Sequence, residues 1–136
     1  MPADRARSRS SEEGQRGSST VEFALLLPIL LLVLLALVQV GVLARDSLLL
    51  TQASRAGARE AAVQPSTDAV EHAVRDAAPG LAAERLSVNV AWSGARGSPV
   101  TVSVAYDAPV ASLLAGWLLP GSVVLSSSAT MRQEFA

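Results

Sequence analysis

An uncharged run of 22 residues, from Phe23 to Ala44, constrains this 136-residue chain more than any other feature. A helix rises about 1.5 Å per residue, so the run would be roughly 33 Å long as a helix. That length matches the hydrocarbon core of a bilayer, which is about 30 Å thick. Only Pro28 and Gln39 interrupt the apolar character of the run. The sequence therefore predicts a transmembrane helix over residues 18–44.

A second uncharged segment, from Pro109 to Leu125, is too short for a second span. It has 17 residues and is interrupted by Pro120 and Gly121, whereas a span needs about 20 apolar residues. We therefore predict one span. About 90 residues remain outside the tail and the span, which is enough for one small domain.

The residues before the span predict its orientation. Four arginines precede it: Arg5, Arg7, Arg9 and Arg16. After the span, Arg45 is followed at once by Asp46. Because an excess of basic residues marks the cytoplasmic side, we expect the N-terminus inside and the rest of the chain outside the cytoplasmic (inner) membrane. Residues 1–16 are too polar to bury a core, so we predict a disordered tail.

Composition excludes several function classes. All 11 basic residues are arginine, and the formal net charge is -1. These arginines form no large basic block, whereas binding to nucleic acid needs clustered positive charge, so we expect no nucleic-acid partner. The chain has no cysteine, and therefore neither a disulfide nor a thiolate metal site can form. We expect no cofactor.

The one histidine is a weak candidate for a metal or catalytic site. His72 lies four residues from both Asp68 and Asp76, so the three side chains could share a helix face and bind a metal. Glu71 and Arg75 have the same spacing, however, and such charge patterning is typical of a solvated helix face. No serine lies in a nucleophile elbow, and there is no second histidine to act as base. We predict neither a metal site nor an enzyme.

The helical pattern continues beyond the span. It runs to about Val63, where Gln64-Pro65 ends it, so residues 45–63 are predicted to extend the same helix out of the membrane. Residues 66–68, Ser-Thr-Asp, offer N-caps for a second helix that runs to about Ala78.

Alternation of apolar and polar residues then predicts strands over residues 86–92, 100–106 and 123–131, the first two joined as a hairpin. Between the second and third strands, apolar spacing predicts a short amphipathic helix from Val110 to Leu118. The predicted fold class is α+β, with a long N-terminal transmembrane helix followed by a small extracytoplasmic domain over residues 64–136. That domain contains a short helix and about three antiparallel strands.

Glu22 stands immediately before the uncharged run. Ser19 and Glu22 have the spacing of a capping box, in which the Glu22 N–H donates to the Ser19 hydroxyl and the Ser19 N–H donates to the Glu22 carboxylate. The charge of Glu22 would also favour the positive end of a helix. Under this interpretation Glu22 is only a helix start.

The wider context of Glu22 favours a second interpretation. Gly17 lies five residues before Glu22, the residues between them are small or apolar, and Phe23 begins the apolar run. This arrangement resembles the class III signal of type IV prepilins. Residues 20–25, Thr-Val-Glu-Phe-Ala-Leu, and the Ala- and Arg-rich residues 53–62 resemble the TadE family of pseudopilins from tight-adherence (Flp) pilus systems.

The resemblance implies a processing site and a set of partners. A membrane prepilin peptidase would cut between Gly17 and Ser18 and remove the leader, residues 1–17. Glu22, followed by Phe23, would become the fifth residue of the mature chain and its assembly carboxylate. The resemblance also implies a pilin-like fold and a role in pilus assembly and adhesion. Its partners would be other pilins or pseudopilins, the Tad membrane platform and the lipid bilayer, and the protein would stay in the membrane or enter a surface pilus.

The chemistry of these residues is compatible with those roles. A glycine leaves room for the backbone in a protease cleft, and cleavage would create an amine at Ser18 that is normally charged near neutral pH. The Glu22 carboxylate, at a low-dielectric boundary, needs a cation. The Ser18 amine of the same or a neighbouring subunit can supply it.

Two other interpretations remain open. The chain would be an uncleaved single-pass anchor that presents an extracytoplasmic binding module. Alternatively, a Sec signal peptidase would cut after Ala44 and release a soluble domain, although the apolar run exceeds the usual 7 to 15 residues of a secretory signal. The first residue of the mature chain, Ser18, Met1 or Arg45, distinguishes the three.

Overall fold

The computed structural model describes residues 4–94, 96–110 and 121–134, with side chains from Ser19 onward. The elements, in chain order, are α1 (Asp4–Val63), α2 (Thr67–Ala77), a short 3₁₀-helix (Ala83–Arg85), β1 (Leu86–Trp92), β2 (Pro99–Pro109) and β3 (Ser122–Arg132). The predicted α+β class is confirmed. The short helix predicted from Val110 to Leu118 falls on residues 111–120, which lie outside the described residues.

The chain divides into two compact units, which comprise residues 1–38 and residues 39–136. In the first unit, the described residues belong to α1, and nearly all of the apolar side chains from Val21 to Val38 are exposed. Among the described residues, α1 is the one helix that is long and apolar enough to cross a membrane. The structure thus has a candidate membrane helix where the sequence predicts one.

Helix α1 begins at Asp4, so the prediction of a disordered tail over residues 1–16 is wrong for its described part. The prediction considered only what the tail could bury. Nucleation is the costly step of helix formation, and a helix already formed at Phe23 gains one hydrogen bond for each residue by which it extends. Residues 4–16 include Ala, Arg, Glu and Gln, which are good helix formers.

The C-terminal end of α1 is hydrogen-bonded to the domain over residues 64–136 (the sheet domain). α1 ends at Val63, as predicted. The Trp92 indole N–H donates to Ala61 O at 3.4 Å, and the Glu134 N–H donates to Ala62 O at 2.8 Å. Because the last carbonyls of a helix lack partners within it, these two bonds attach the end of α1 to β1 and to the residues that follow β3.

Helix α2 also has the predicted bounds, with Ser66 as its N-cap. The Ser66 hydroxyl accepts a hydrogen bond from the Ala69 N–H at 3.3 Å. Val70 and Val74 are buried on one side of the helix. The prediction of a capped second helix is therefore confirmed.

The three strands form one antiparallel sheet in the order β1-β2-β3. The long central strand, β2, alternates strictly: Val100, Val102, Val104, Tyr106 and Ala108 are buried on one face. On β3, Leu125, Ala129 and Met131 pack against the core from the same face. The opposite face of β3 is mostly polar, with Ser126, Ser128 and Thr130 exposed.

The core lies between this sheet face and a stripe of mostly small residues on α1. The stripe consists of Leu50, Ala53, Ser54, Gly57, Ala58 and Ala61, which are all buried. At Gly57, a Cβ would lie 2.6 Å from Val74 Cγ2 and 3.1 Å from Val102 Cγ1. The backbone of α1 therefore approaches α2 and β2 too closely for any side chain at position 57.

Candidate processing and assembly site

The predicted cleavage pair, Gly17 and Ser18, lies in the helical backbone of α1. A protease needs its substrate locally extended, so this turn must unwind before the Gly17–Ser18 bond can be cut. Residues 17–20 are Gly-Ser-Ser-Thr, and none of them is a strong helix former. Glycine alone costs a helix about 1 kcal/mol relative to alanine. The pair thus lies in a segment of α1 with weak intrinsic helix propensity.

Glu22 and Phe23 are both exposed on α1. The carboxylate therefore lies beside an exposed aromatic ring at the start of the uncharged run. A charge at such a boundary favours a position at the bilayer surface or beside a cation rather than in hydrocarbon.

Ser19 is not the N-cap of α1 in the structure. An N-cap residue has a non-helical backbone, whereas Ser19 and Glu22 both lie inside α1, which begins at Asp4. The local pattern was read as a helix start, but the helix extends through it. In a chain that begins at Ser18, Glu22 would instead lie near the helix N-terminus, where its charge is favourable.

After Glu22, α1 presents apolar side chains. Exposed members include Leu25, Leu26, Ile29, Leu30, Leu34 and Leu37. An uninterrupted exposed apolar surface of this kind suits a lipid bilayer or another apolar helix. The site therefore combines a carboxylate with an adjoining apolar surface that can pack against lipid or another helix.

The first charges after the run are those of Arg45 and Asp46, which differ in burial. Arg45 Nη1 lies 3.6 Å from Asp46 Oδ1, and Asp46 is only 5% exposed. Arg45 also lies against Gly80, where a Cβ would come within 3.3 Å of Arg45 Nη2. Sequence reasoning treated this pair only as a neutral charge balance and missed the burial of Asp46.

The candidate metal face on α2 is a solvated helix surface. Asp68, His72 and Asp76 are all exposed. Arg75 Nη2 donates to Glu71 Oε2 at 2.7 Å, so the predicted i,i+4 ion pair is confirmed. Among the described residues, no group of three potential ligands is placed to hold a metal ion.

A shallow depression of about 300 Å³ lies across the sheet and is lined by uncharged residues: Ser87, Val88, Asn89, Ser103, Val104, Ala105 and Ser126. None of its lining residues carries a titratable group. Acid–base chemistry therefore has no candidate residue in this depression. The absence of enzymatic activity remains a prediction.

Sequence reasoning missed two residues that organise the domain. Gln39 Nε2 donates to Pro109 O at 3.2 Å, and Gly57 allows the close approach of α1 described above. Each left a trace in the sequence. Gln39 is a lone polar side chain in the uncharged run, and Gly57 lies midway between Ala53 and Ala61 at helical spacing, a pattern typical of close packing.

Among the described residues, one exposed apolar helix is a candidate membrane span, and a small α+β domain follows it. Residues 17–59 match the family model described as TadE-like protein, which confirms the resemblance over that part of the chain. The match covers 43 of the 136 residues. No curated protein and no solved structure gives a significant match.

Proposed function

We propose that this protein is a pseudopilin-like component of a Tad-type pilus apparatus that takes part in pilus assembly and adhesion. A prepilin peptidase cuts it between Gly17 and Ser18, and α1 holds it in the inner membrane. It acts with other pilins or pseudopilins and with the Tad membrane platform. The observation that carries the proposal is the TadE-like match, which begins at Gly17 and includes Glu22 and the whole uncharged run.

In this proposal, cleavage activates the site. Removal of residues 1–17 places a charged amine at Ser18, one helical turn from Glu22. The carboxylate then binds this amine in its own or a neighbouring subunit, while the exposed apolar side chains of α1 pack against neighbouring helices. The pairing lowers the cost of keeping either charge at the membrane boundary.

The proposed orientation rests on charge. The four arginines before the run favour a cytoplasmic N-terminus, so the sheet domain lies outside the inner membrane. In that position the domain is available to pilus components and to an adhesive target.

The structure offers support for the uncleaved anchor as a second candidate. The backbone is helical through Gly17 and Ser18, and a helical bond resists proteolysis. In that case the sheet domain is an extracytoplasmic binding module on a permanent anchor. The secreted-domain alternative is weaker. Cleavage after Ala44 would remove Leu43, which packs against the domain core, and Gln39, which donates to Pro109 O.

A pair of glycine variants tests the proposed processing. Gly17→Arg should leave the full-length precursor in the membrane, because a long charged side chain fills the space that the glycine leaves for the protease. Gly14→Arg, which makes the same change three residues earlier, should be processed normally. Immunoblots of membrane fractions distinguish the two lengths. Normal processing of Gly17→Arg would exclude this cleavage site.

A further inference from the structure

The sheet domain has two distinct ends, and hydrogen bonds fix each of them to a different part of α1. At one end, Glu134 N–H donates to Ala62 O, next to the C-terminus of the helix. At the other end, Gln39 Nε2 donates to Pro109 O, at the last residue of β2. The second end therefore lies beside residues of the uncharged run.

The depth of this second end follows from helix geometry. Gln39 lies six residues before Arg45, the first charged residue after the run, so it is about 9 Å nearer the middle of the predicted span. Pro109 pairs with Ser122, and the Val110 N–H donates to Gly121 O at 3.1 Å. The ends of β2 and β3 thus meet at the level of Gln39.

The chemistry of this end differs from the rest of the exposed sheet face. Val124 is 70% exposed, more than any other large hydrophobic side chain among the described residues. Further along the same face of β3, the exposed residues are Ser126, Ser128 and Thr130. On this face of β3, the exposed side chain is therefore apolar only near the end that lies beside the uncharged run.

Two charges limit how deep this end can lie. Val124 pairs with Asp107, which is exposed on the same face, and both lie about 7 Å along the strands from the Pro109–Ser122 pair. Val124 and Asp107 therefore lie at about the same depth along the membrane normal as Arg45. A carboxylate is costly in hydrocarbon, so this level corresponds to the headgroup layer. Residues 111–120, which join the two strands, carry no charge.

We propose that this end of the sheet domain, formed by Pro109, Ser122 and Val124, lies in the interfacial layer of the bilayer that α1 crosses. The partner is lipid, and the surface is continuous with the uncharged run through the Gln39–Pro109 contact. Val124, Asp107 and Arg45 lie among the headgroups, and Pro109 and Ser122 lie about 7 Å nearer the acyl chains. The contact holds the domain against the membrane whether or not the leader is removed.

Because the chain contains no cysteine, single-cysteine variants test this proposal cleanly. The full chain is reconstituted in phosphatidylcholine vesicles with an environment-sensitive fluorophore on Val124→Cys or on the control Ser128→Cys. Both positions are exposed on the same face of β3, and Ser128 lies about 13 Å further from the membrane. A nitroxide on the lipid headgroup serves as quencher.

The expected result is several-fold stronger quenching at position 124 than at position 128, with blue-shifted emission at position 124. Equal and weak quenching at the two positions would overturn the proposal. In a second measurement, the emission at position 124 is recorded at decreasing protein-to-lipid ratios. If the emission at position 124 changes with the protein-to-lipid ratio, a second copy of the chain covers Val124 and the lipid contact is refuted. Constant emission supports the lipid contact.

Discussion

The Cα of Gly57 faces Val74 so closely that a Cβ at position 57 would lie 2.6 Å from Val74 Cγ2. This contact joins α1 to α2 across the domain core. Val74 is fully buried, and its β-branched side chain has few alternative rotamers. The valine therefore cannot move aside without disturbing the residues packed around it.

Gly57→Ala is expected to destabilise the domain. Overpacking costs about 1–3 kcal/mol, and the higher helix propensity of alanine returns up to about 1 kcal/mol. The matched control is Gly41→Ala in the same helix, where a Cβ has nothing within 4 Å. Urea unfolding in detergent, followed by tryptophan fluorescence, measures both. A midpoint for Gly57→Ala at or above that of Gly41→Ala would contradict the close contact.

A double variant refines this prediction. Gly57→Ala combined with Val74→Ala removes the side chain that the new methyl group meets, so the double variant should lose less stability than the sum of the two single variants. Additive losses would show that the strain at position 57 arises from another neighbour.

A partly buried hydroxyl pair provides an independent test of the packing of α1 on β3. Ser54 donates to Thr51 O at 3.1 Å, and its oxygen lies 3.1 Å from Ser127 Oγ, so Ser127 is the donor between the two serines. Ser127→Ala should cost about 0.5–1.5 kcal/mol of unfolding free energy. The exposed neighbour variant Ser128→Ala should stay within about 0.5 kcal/mol of wild type. Equal effects of the two alanine variants would argue against the Ser54–Ser127 bond.

Local patterns predict the elements of this fold well. The Gln64-Pro65 stop, the Ser66 cap and the valine alternation of β2 each act within a few residues, so they are legible in the sequence. The close approach at Gly57 depends on Val74 and Val102, which are distant in sequence, so no local pattern records it. The start of α1 was missed because helix propagation from the apolar run overrides the polarity of residues 4–16.

The residues of the candidate site could be selected from the sequence, whereas the tertiary contacts near it could not. Gly17, Ser18, Glu22 and Phe23 were selected because their arrangement resembles the class III signal of type IV prepilins, and the TadE-like match includes all four. The burial of Asp46 and the contact between Gln39 and Pro109 arise from tertiary packing, which no local pattern in the sequence records. No periodicity within α1 encodes which end of the sheet meets which turn of the helix.

Glu22→Gln tests the proposed pairing with the Ser18 amine. Glutamate and glutamine have similar helix propensities, so insertion and cleavage should be unchanged. Loss of the carboxylate leaves the amine unpaired in a poorly solvated layer, and the variant should fail to co-purify with other pilus components. Glu71→Gln, which removes only the exposed pair with Arg75, should co-purify normally. Normal co-purification and piliation of Glu22→Gln would refute an assembly role.

The orientation can be measured with a reporter fused after Ala136. With the arginines before the run inside the cell, an alkaline phosphatase fusion should be active, because that enzyme matures only outside the cytoplasm. A matched fusion of a reporter that works only in the cytoplasm should be inactive. The reverse pattern would place the sheet domain inside the cell and contradict the proposed arrangement.

The intact mass of the protein extracted from the membranes of its native host tests the central claim most directly. The claim that this is a processed pseudopilin predicts a chain that begins at Ser18 and lacks residues 1–17. A chain that retains residues 1–17 would contradict that claim and identify the protein as a permanent membrane anchor for its sheet domain.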